Sequence, residues 1–260
     1  MSQSEGIYLF HCRPSPIFFS KAYFSGRSFA HLFLVSSWLL LVLLFVSPVF
    51  AAKVQSKTVN CDGRKINYRL YAPSGDAPLP VVLLLHGAGD TPEPMIDAWR
   101  SLSEKEKIVL IAPELPRTLE FEATAPQVFR CVVEDAKHFE NLDARRLYIF
   151  GNSMGGYLAY DALAFQSDYF AAVAVHAMGI APEYDSILDH ASRKLPVAIY
   201  IGDNDPLVSV KSVVRTRDLL LRRGYQVRYT ELKNHDHNYY SVCAKVNQDV
   251  WQFFLGQPQP

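Results

Sequence analysis

The sequence predicts an α/β fold with a mostly parallel central sheet, an N-terminal antiparallel hairpin and helices on both faces of the sheet. Two observations support this prediction. Runs of consecutive aliphatic residues, such as residues 81–85, are typical of strands that are buried on both faces. Segments with helical periodicity separate these runs, and such an alternation favours parallel strands joined by helical crossovers.

The first predicted elements form the hairpin. Residues 57–61 and 65–71 alternate between apolar and polar side chains, as short strands do. Asp62 and Gly63 connect them, and an Asp-Gly dipeptide between two alternating segments is typical of a two-residue hairpin turn. The sequence therefore predicts an antiparallel pair ahead of the parallel part of the sheet.

Strands and helices alternate after the hairpin. Pro94 lies near the first turn of the first helix, where proline is tolerated, and Gly224 ends a later helix as a C-cap residue. The predicted strands are residues 81–85, 108–112, 147–150, 171–175, 197–201 and 227–232. The predicted helices are residues 94–106, 153–165, 208–223 and 238–255, together with one that begins at Pro126.

The composition indicates a globular protein. The chain has 260 residues, of which 49% are hydrophobic and 20% are charged, and this excludes the disordered class. Its formal net charge is zero, so bulk electrostatics give no support to a nucleic-acid partner, and none is expected.

The first 51 residues differ from the rest and predict a secretory signal peptide. Basic residues precede an apolar run between Phe29 and Phe50, and small residues follow it, with cleavage expected after Ala51. The run is almost long enough to span a bilayer, so an uncleaved anchor is the alternative. In either case residues 52–260 are expected to form one domain outside the cytoplasm, either secreted or periplasmic, with membrane contact only through an uncleaved N-terminal segment.

The cysteines leave the disulfide pairing open. Cys61, Cys131 and Cys243 remain after the predicted cleavage, and an oxidising compartment permits one disulfide among them and leaves an odd thiol. Cys131 and Cys243 each lie in an apolar helical pattern, so two buried free cysteines are the alternative. No Cys/His spacing resembles a zinc site, and neither a metal nor a cofactor is expected.

Polar residues follow the predicted strands at the edge where function collects in parallel sheets. The carboxyl ends of parallel strands meet at one edge, so residues that follow different strands come close together there. Four strands are followed by chemically useful side chains or glycine turns: His86-Gly87-Ala88, Gly151-Asn152-Ser153, Gly202-Asp203-Asn204-Asp205 and His235-Asp236-His237. A serine, an acid and a histidine thus occur in that order along the chain.

The stretch Gly151-x-Ser153-x-Gly155, placed between a strand and a helix, resembles the nucleophile elbow of the α/β-hydrolase superfamily. The order of serine, acid and histidine along the chain also resembles the order of the catalytic residues in that superfamily. Within it, the chain resembles small secreted esterases related to polyhydroxyalkanoate depolymerases, feruloyl esterases and dienelactone hydrolases. The run 236–240 resembles the histidine segment of the esterase D group. The resemblance covers essentially all of residues 52–260 and implies a serine hydrolase of carboxylic esters. This length barely accommodates the core fold, so no large lid is expected.

The predicted catalytic residues follow from this resemblance and from the chemistry. A serine hydroxyl needs a base within hydrogen-bond reach, and a carboxylate fixes the tautomer of a histidine base. Ser153 is the expected nucleophile. The base is His235 or His237, and the segment that resembles esterase D favours His237. The acid is Asp203 or Asp205, and the resemblance to the acid loop of the superfamily favours Asp205.

Two backbone N–H groups are expected to form the oxyanion hole. One belongs to Met154, which follows the nucleophile. The other belongs, by resemblance, to Ala88 in the glycine-rich turn. The His86 side chain is expected to hold that turn in place, and His176 is either a residue of the cleft or a core histidine.

The substrate is a small-molecule or polymer ester in this interpretation. Phe121, Tyr157, Met178 and Tyr239 are candidates to line an apolar acyl or aryl site. The elbow does not identify the leaving group, so a peptidase, thioesterase or acyltransferase with the same three residues is the alternative. A non-catalytic binding protein of the same fold is a further alternative, and the oligomeric state is open.

Overall fold

The structure is a computed structural model that describes residues 52–75, 77–115 and 125–257, so the predicted signal peptide and Phe121 lie outside the described residues. Eight strands occur within these ranges. They are β1 (Gln55–Cys61), β2 (Arg64–Tyr71), β3 (Leu79–Leu85), β4 (Val109–Pro113), β5 (Leu142–Asn152), β6 (Ala172–His176), β7 (Val197–Gly202) and β8 (Val227–Leu232).

The strands form one sheet in the order β1-β2-β4-β3-β5-β6-β7-β8. β2 pairs antiparallel with both β1 and β4, whereas every other pair of neighbours is parallel. The turn between β1 and β2 has Asp62 and Gly63 both at positive φ, as the tightest hairpin turns require. The predicted hairpin and the mostly parallel sheet are therefore confirmed.

Helices connect the parallel strands. The described α-helices are α1 (Pro92–Glu106), α2 (Ala125–Ala136), α3 (Met154–Phe165), α4 (Val210–Arg222) and α5 (Cys243–Leu255). Two 3₁₀ helices, Pro182–His190 and Tyr239–Ser241, complete the order of elements in the described ranges. Among the helices of the described residues, none combines the length and the apolar character that a membrane crossing needs.

Alternate residues of each central strand face opposite layers. In β3, Leu83 packs with α2, α3 and α4 on one face, whereas Leu84 packs with α1 and α5 on the other. Both residues are fully buried. This burial on both faces explains why the parallel strands have continuous aliphatic sequences.

The last helix begins later than the sequence predicts. The expected helix from residue 238 is wrong, because the Asn238 side chain accepts a hydrogen bond from the Tyr240 N–H (3.2 Å) and starts a separate 3₁₀ turn. Ser241 N–H donates to the Asn238 carbonyl (3.1 Å), which closes that turn. α5 then starts at Cys243. The 3₁₀ helix Pro182–His190 was not predicted at all.

A disulfide joins Cys61 at the end of β1 to Cys131 in α2, across 70 residues of sequence. No cysteine among the described residues has a free thiol, so the expectations of an odd thiol and of two buried free cysteines are both wrong. Periodicity along the helix could not reveal the pairing, because it depends on α2 packing against β1.

Candidate active site

The turn between β5 and α3 holds Ser153 in a strained conformation. Ser153 has φ 51° and ψ −118°, which is rare for a residue with a side chain and costs free energy. Its N–H donates to the His176 carbonyl at the end of β6 (2.9 Å), and α3 begins at the next residue. The sheet therefore holds the serine in the sharp strand-to-helix turn that the sequence predicts.

Two glycines permit this turn because backbone approaches them closely. A Cβ atom at Gly151 would lie 2.2 Å from the Gly155 carbonyl oxygen. A Cβ atom at Gly155 would lie 2.1 Å from the Leu85 carbonyl oxygen. Real Cβ atoms do not come this close to oxygen, so any side chain at either position would move the elbow. The spacing Gly-x-Ser-x-Gly is thus a steric requirement of this turn.

Ser153, His237 and Asp205 form a continuous hydrogen-bonded chain. The Ser153 hydroxyl donates to His237 Nε2 (2.9 Å), and His237 Nδ1–H donates to Asp205 Oδ2 (2.7 Å). A carboxylate accepts only, so it fixes the histidine tautomer with Nε2 free to accept the serine proton. The His237 side chain is 19% exposed and the Asp205 side chain is fully buried.

Backbone N–H groups of the loop that follows β7 orient Asp205; this loop, residues 203–209, is called the acid loop below. Its Oδ1 accepts hydrogen bonds from the Leu207 and Val208 N–H groups, both at 2.9 Å, which leaves Oδ2 directed at His237. Asp203 has other contacts: its carboxylate accepts the His235 N–H (3.3 Å) and lies 3.7 Å from the Lys233 ammonium. The structure therefore places Asp205, and not Asp203, against His237.

His235 belongs to a second hydrogen-bonded chain that does not include the serine. His176 Nδ1–H donates to the Asn152 side-chain oxygen (2.9 Å), and His176 Nε2 lies 3.3 Å from His235 Nε2. Since the amide oxygen can only accept, the His235 Nε2–H is the donor in the second contact. The structure thus brings His237 to the nucleophile and places His235 behind it, in contact with His176.

Burial keeps both members of this histidine pair neutral. Burial, together with the neighbouring imidazoles of His235 and His237, lowers the pKa of His176 to about 3. Burial also lowers the pKa of His235, although Asp236, Asp205 and Asp203 act against this change. His176 is therefore a core histidine with both ring nitrogens hydrogen-bonded.

His86 holds one end of the glycine-rich turn that follows β3. Leu115 N–H donates to His86 Nε2 (3.1 Å), so the ring proton is on Nδ1, which donates to the Gly87 carbonyl (2.9 Å). This is the holding contact that the sequence predicts for the side chain. A Cβ atom at Gly87 would lie only 3.6 Å from Ser153 Cβ, so the turn contacts the elbow.

Each of the two residues predicted to form the oxyanion hole follows one side of the contact between Gly87 and Ser153: Ala88 follows Gly87, and Met154 follows Ser153. Met154 is the first residue of α3, and the first N–H groups of a helix have no acceptor within the helix. The positive end of the helix dipole also favours negative charge at this position. Ala88 is exposed in the turn next to Gly87. Both N–H groups are thus near Ser153 along the chain or in space.

The predicted substrate residues have different environments. Tyr157 and Met178 are half-buried, and the Tyr157 ring packs edge-on against Tyr184 with centroids 5.9 Å apart. The structure corrects the expectation that Tyr239 lines the substrate site. Tyr239 is 1% exposed, and its hydroxyl donates to the Asn247 side chain (2.5 Å) within the core. The hydroxyl of its neighbour Tyr240 donates instead to the Asp90 side chain, in the turn that follows β3. Phe121 lies outside the described residues.

Sequence reasoning assigned no role to three residues whose side chains hold the segments around the site together: Asn152, Asp90 and Tyr240. Asn152 occupies a variable position of the elbow motif, and Asp90 and Tyr240 lie 150 residues apart, so no local pattern marks them. The described residues also contain no group of three or more His, Cys, Asp or Glu side chains arranged to hold a metal ion.

Comparison with known protein families finds a match at the elbow. Residues 122–181 match the model of the prolyl oligopeptidase family, Peptidase_S9. This segment contains Ser153 and α3 and makes up less than half of the chain.

Two curated proteins are similar to the chain. The bifunctional acetylxylan esterase/xylanase XynS20E of Neocallimastix patriciarum is 29% identical over 158 residues, which cover 58% of this chain and 23% of that protein. NocK of Nocardia uniformis subsp. tsuyamanensis, named as an esterase, is 30% identical over 178 residues, which cover 62% of this chain and 51% of that protein. The matches therefore span about half or less of the length of these relatives.

The fold is similar to that of solved esterases. The crystal structure of a thermostable esterase superposes with a TM-score of 0.65 at 22% identity, over 79% of this chain and 63% of that chain. At this identity the likeness shows a shared fold.

Proposed function

We propose that this chain, a serine hydrolase with the α/β-hydrolase fold, cleaves carboxylic esters through an acyl-enzyme on Ser153. The observation that carries the proposal is the hydrogen-bonded chain from the Ser153 hydroxyl through His237 to Asp205, with contacts of 2.9 and 2.7 Å. This arrangement supplies a nucleophile, a base with one available nitrogen and a carboxylate that orients the base.

In the acylation step, Ser153 Oγ forms a bond to the ester carbonyl carbon while its proton moves to His237 Nε2. The carbonyl oxygen becomes an oxyanion that the N–H groups of Met154 and Ala88 stabilise. The carbon–oxygen bond to the leaving alcohol then breaks, and His237 returns the proton to that alcohol. The products of this half-reaction are the alcohol and an acyl ester of Ser153.

In the deacylation step, water takes the place of the alcohol. His237 accepts a proton from the water as its oxygen attacks the acyl carbon, and the same oxyanion donors act again. The bond to Ser153 Oγ breaks, and His237 returns the proton to the serine. The Asp205 carboxylate keeps its hydrogen bond to His237 Nδ1–H and stabilises the imidazolium of His237 in both steps.

Ester cleavage is the preferred chemistry because both similar curated proteins carry the word esterase in their names. The match of residues 122–181 to the prolyl oligopeptidase family supports a peptidase as the second candidate. Thioester cleavage and acyl transfer use the same three residues and differ only in the leaving group or the acceptor. The substrate in the first proposal is a small-molecule or polymer ester.

Secretion is part of the proposal. The signal-peptide pattern of residues 1–51 supports export, with an uncleaved membrane anchor as the alternative. The Cys61–Cys131 disulfide supports the same location, because structural disulfides persist in oxidising compartments and are rare in the cytosol.

Covalent labelling, combined with a panel of substrates, separates ester cleavage from peptide and thioester cleavage. The purified domain is treated with a fluorophosphonate, and the Ser153→Ala variant serves as the control. Wild-type protein is then assayed with p-nitrophenyl esters of increasing chain length and with peptide and thioester substrates. Ester turnover that depends on Ser153 supports the proposal. Labelling of Ser153 with turnover of peptides or thioesters alone favours the second candidate, and absence of labelling contradicts a serine hydrolase.

A further inference from the structure

A side-chain contact ties the segment that carries His237 to the glycine-rich turn after β3. The Tyr240 hydroxyl donates a hydrogen bond to the Asp90 Oδ2, although 150 residues separate the two positions. We propose that Asp90 and Tyr240 are a positioning pair that holds the Ala88 N–H in place relative to His237. This inference rests on the proposed function, since it concerns the oxyanion hole of that reaction.

The turn that contains Ala88 depends on contacts at its two ends. Gly87 and Gly89 flank Ala88, Gly89 has φ +73°, and Ala88 itself is exposed. The backbone contact across the turn, from the Asp90 N–H to the Gly87 carbonyl, is long at 3.3 Å. Glycine gives the backbone conformational freedom, so such a turn needs external contacts to keep one geometry.

His86 provides the contact at the first end of the turn, and Asp90 provides it at the second. The carboxylate of Asp90 uses both oxygens: Oδ1 accepts the Thr91 N–H at the start of α1 (2.8 Å), and Oδ2 accepts the Tyr240 hydroxyl. Asp90 therefore links the end of the turn to a helix and to the histidine segment at the same time.

Tyr240 is a suitable anchor because its own position is well determined. Its N–H donates to the Asn238 side chain (3.2 Å), and its ring packs against Tyr239 with centroids 5.1 Å apart. Tyr239 is buried, and its N–H donates to the His237 carbonyl (3.0 Å). Burial and the neighbouring Asp90 carboxylate raise the pKa of Tyr240, so the phenol stays protonated and remains a donor.

The pair should matter more in the transition state than in the ground state. An oxyanion-hole donor contributes most when negative charge develops on the carbonyl oxygen, and complete loss of one donor typically lowers kcat by about 10²–10³-fold. Loss of the tie leaves the Ala88 N–H present but less well positioned. We therefore expect a fall in kcat of roughly 10-fold, with KM changed by less than about twofold.

The experiment compares Tyr240→Phe, Asp90→Ala and the double variant with Tyr200→Phe as the matched control. Tyr200 also donates to an aspartate, Asp249 Oδ2 (2.7 Å), but this contact joins β7 to α5 and does not involve the turn. Four quantities are measured for each protein: kcat, KM, the rate of fluorophosphonate labelling, and the affinity for an alkylboronic acid. The boronic acid forms a tetrahedral adduct that occupies the oxyanion hole.

The expected result is a similar loss of about 10-fold in kcat, labelling rate and boronic-acid affinity for both single variants, with little further loss in the double variant. Tyr200→Phe should retain all three values even if its Tm falls. Unchanged kcat and boronic-acid affinity in Tyr240→Phe, or losses that track Tm alone, would overturn the positioning role. Wild-type protein that fails to label at all contradicts the proposed function itself, whereas a labelled wild type with unaffected variants contradicts the pair alone.

Discussion

The Nε2 atoms of His176 and His235 lie 3.3 Å apart in the interior of the protein. A hydrogen bond between them requires that one nitrogen carries a proton and the other does not. His176 Nδ1–H donates to the Asn152 side-chain oxygen, so His176 Nε2 is the acceptor and His235 Nε2–H is the donor. The pair connects β6 to the loop that carries His237, while the His176 carbonyl accepts the Ser153 N–H. Residues behind the reacting groups thus help to determine how these groups meet.

This buried chain predicts a cost for removing His176. His176→Phe keeps a ring of similar size but leaves the Asn152 side chain and His235 without their partner. We expect a loss of about 1–3 kcal/mol in the free energy of unfolding, measured by urea denaturation at pH 7.5. His190→Phe is the control, since His190 is exposed and should change stability by less than about 0.5 kcal/mol. Equal stability of the two variants would contradict the structural role.

The pH dependence of stability follows from the same residue. The pKa of His176 is lowered to about 3 in the folded state, below the ordinary value of 6.5, so the unfolded chain binds a proton more readily. Stability due to this group is present above pH 6.5 and is lost as the pH falls towards 3. The difference in unfolding free energy between wild type and His176→Phe should therefore shrink on acidification. A difference that stays constant from pH 7.5 to pH 4 would show that His176 does not titrate in this way.

The two aspartates of the acid loop should differ strongly in their effect on turnover. Asp205→Asn leaves the geometry largely intact but removes the carboxylate that orients His237, so kcat should fall by about 10³-fold or more. Asp203→Asn affects the His235 N–H contact and should lower kcat by less than 10-fold. Ester hydrolysis by the two purified variants tests this expectation. A larger loss in Asp203→Asn would assign the acid to the other position.

Burial makes the ionised form of Asp161 unfavourable, so a neutral residue at this position should stabilise the protein. Burial raises the pKa of its carboxyl group from 3.8 to about 6, and no ionic partner compensates for it among the described residues. Because the folded pKa is raised, ionisation above pH 6 costs stability, and this cost disappears below pH 4. Asp161→Asn should therefore raise Tm at pH 8 and leave it nearly unchanged at pH 4. A uniform change in Tm at both values would contradict a titration effect.

The disulfide should contribute to stability through the unfolded state. Cross-linking Cys61 to Cys131 closes a segment of 70 residues, for which chain entropy predicts a contribution of about 4 kcal/mol. Cys61→Ala/Cys131→Ala should lose most of this in chemical denaturation while it keeps kcat, because the disulfide starts from the edge strand β1, whereas Ser153 follows the central strand β5. A reducing agent should lower the stability of wild type more than that of the double variant, because only wild type has the Cys61–Cys131 bond to lose.

Much of this architecture could be predicted from the sequence because it depends on local patterns. Aliphatic runs identified the buried strands, and Asp62 and Gly63 identified the hairpin turn. The stretch around Ser153 identified the elbow, since a Cβ atom at Gly151 or Gly155 would lie only 2.2 or 2.1 Å from a neighbouring carbonyl oxygen. The order of the polar strand ends along the chain then indicated which loops meet.

Other features depend on directions that residue spacing does not determine. Asp203 and Asp205 are two residues apart in one loop, as are His235 and His237, so spacing alone does not choose between the members of each pair. The resemblance favoured Asp205 and His237, and the folded backbone brings His237 to Ser153 and Asp205 to His237. Tyr239 was expected at the substrate site, but the 3₁₀ turn at Asn238 directs it into the core. Long-range pairs such as Asp90 with Tyr240, or Cys61 with Cys131, require the tertiary packing itself.

Trapping of the acyl-enzyme tests the central claim most directly. Wild-type protein is mixed with p-nitrophenyl acetate, quenched in acid within the first turnover, digested and examined by mass spectrometry, with Ser153→Ala treated in parallel. The account predicts a burst of one p-nitrophenolate per molecule and an acetyl group on Ser153, neither of which appears in the variant. Ester turnover that persists in Ser153→Ala, or an acetyl group on a different residue during turnover, would contradict it.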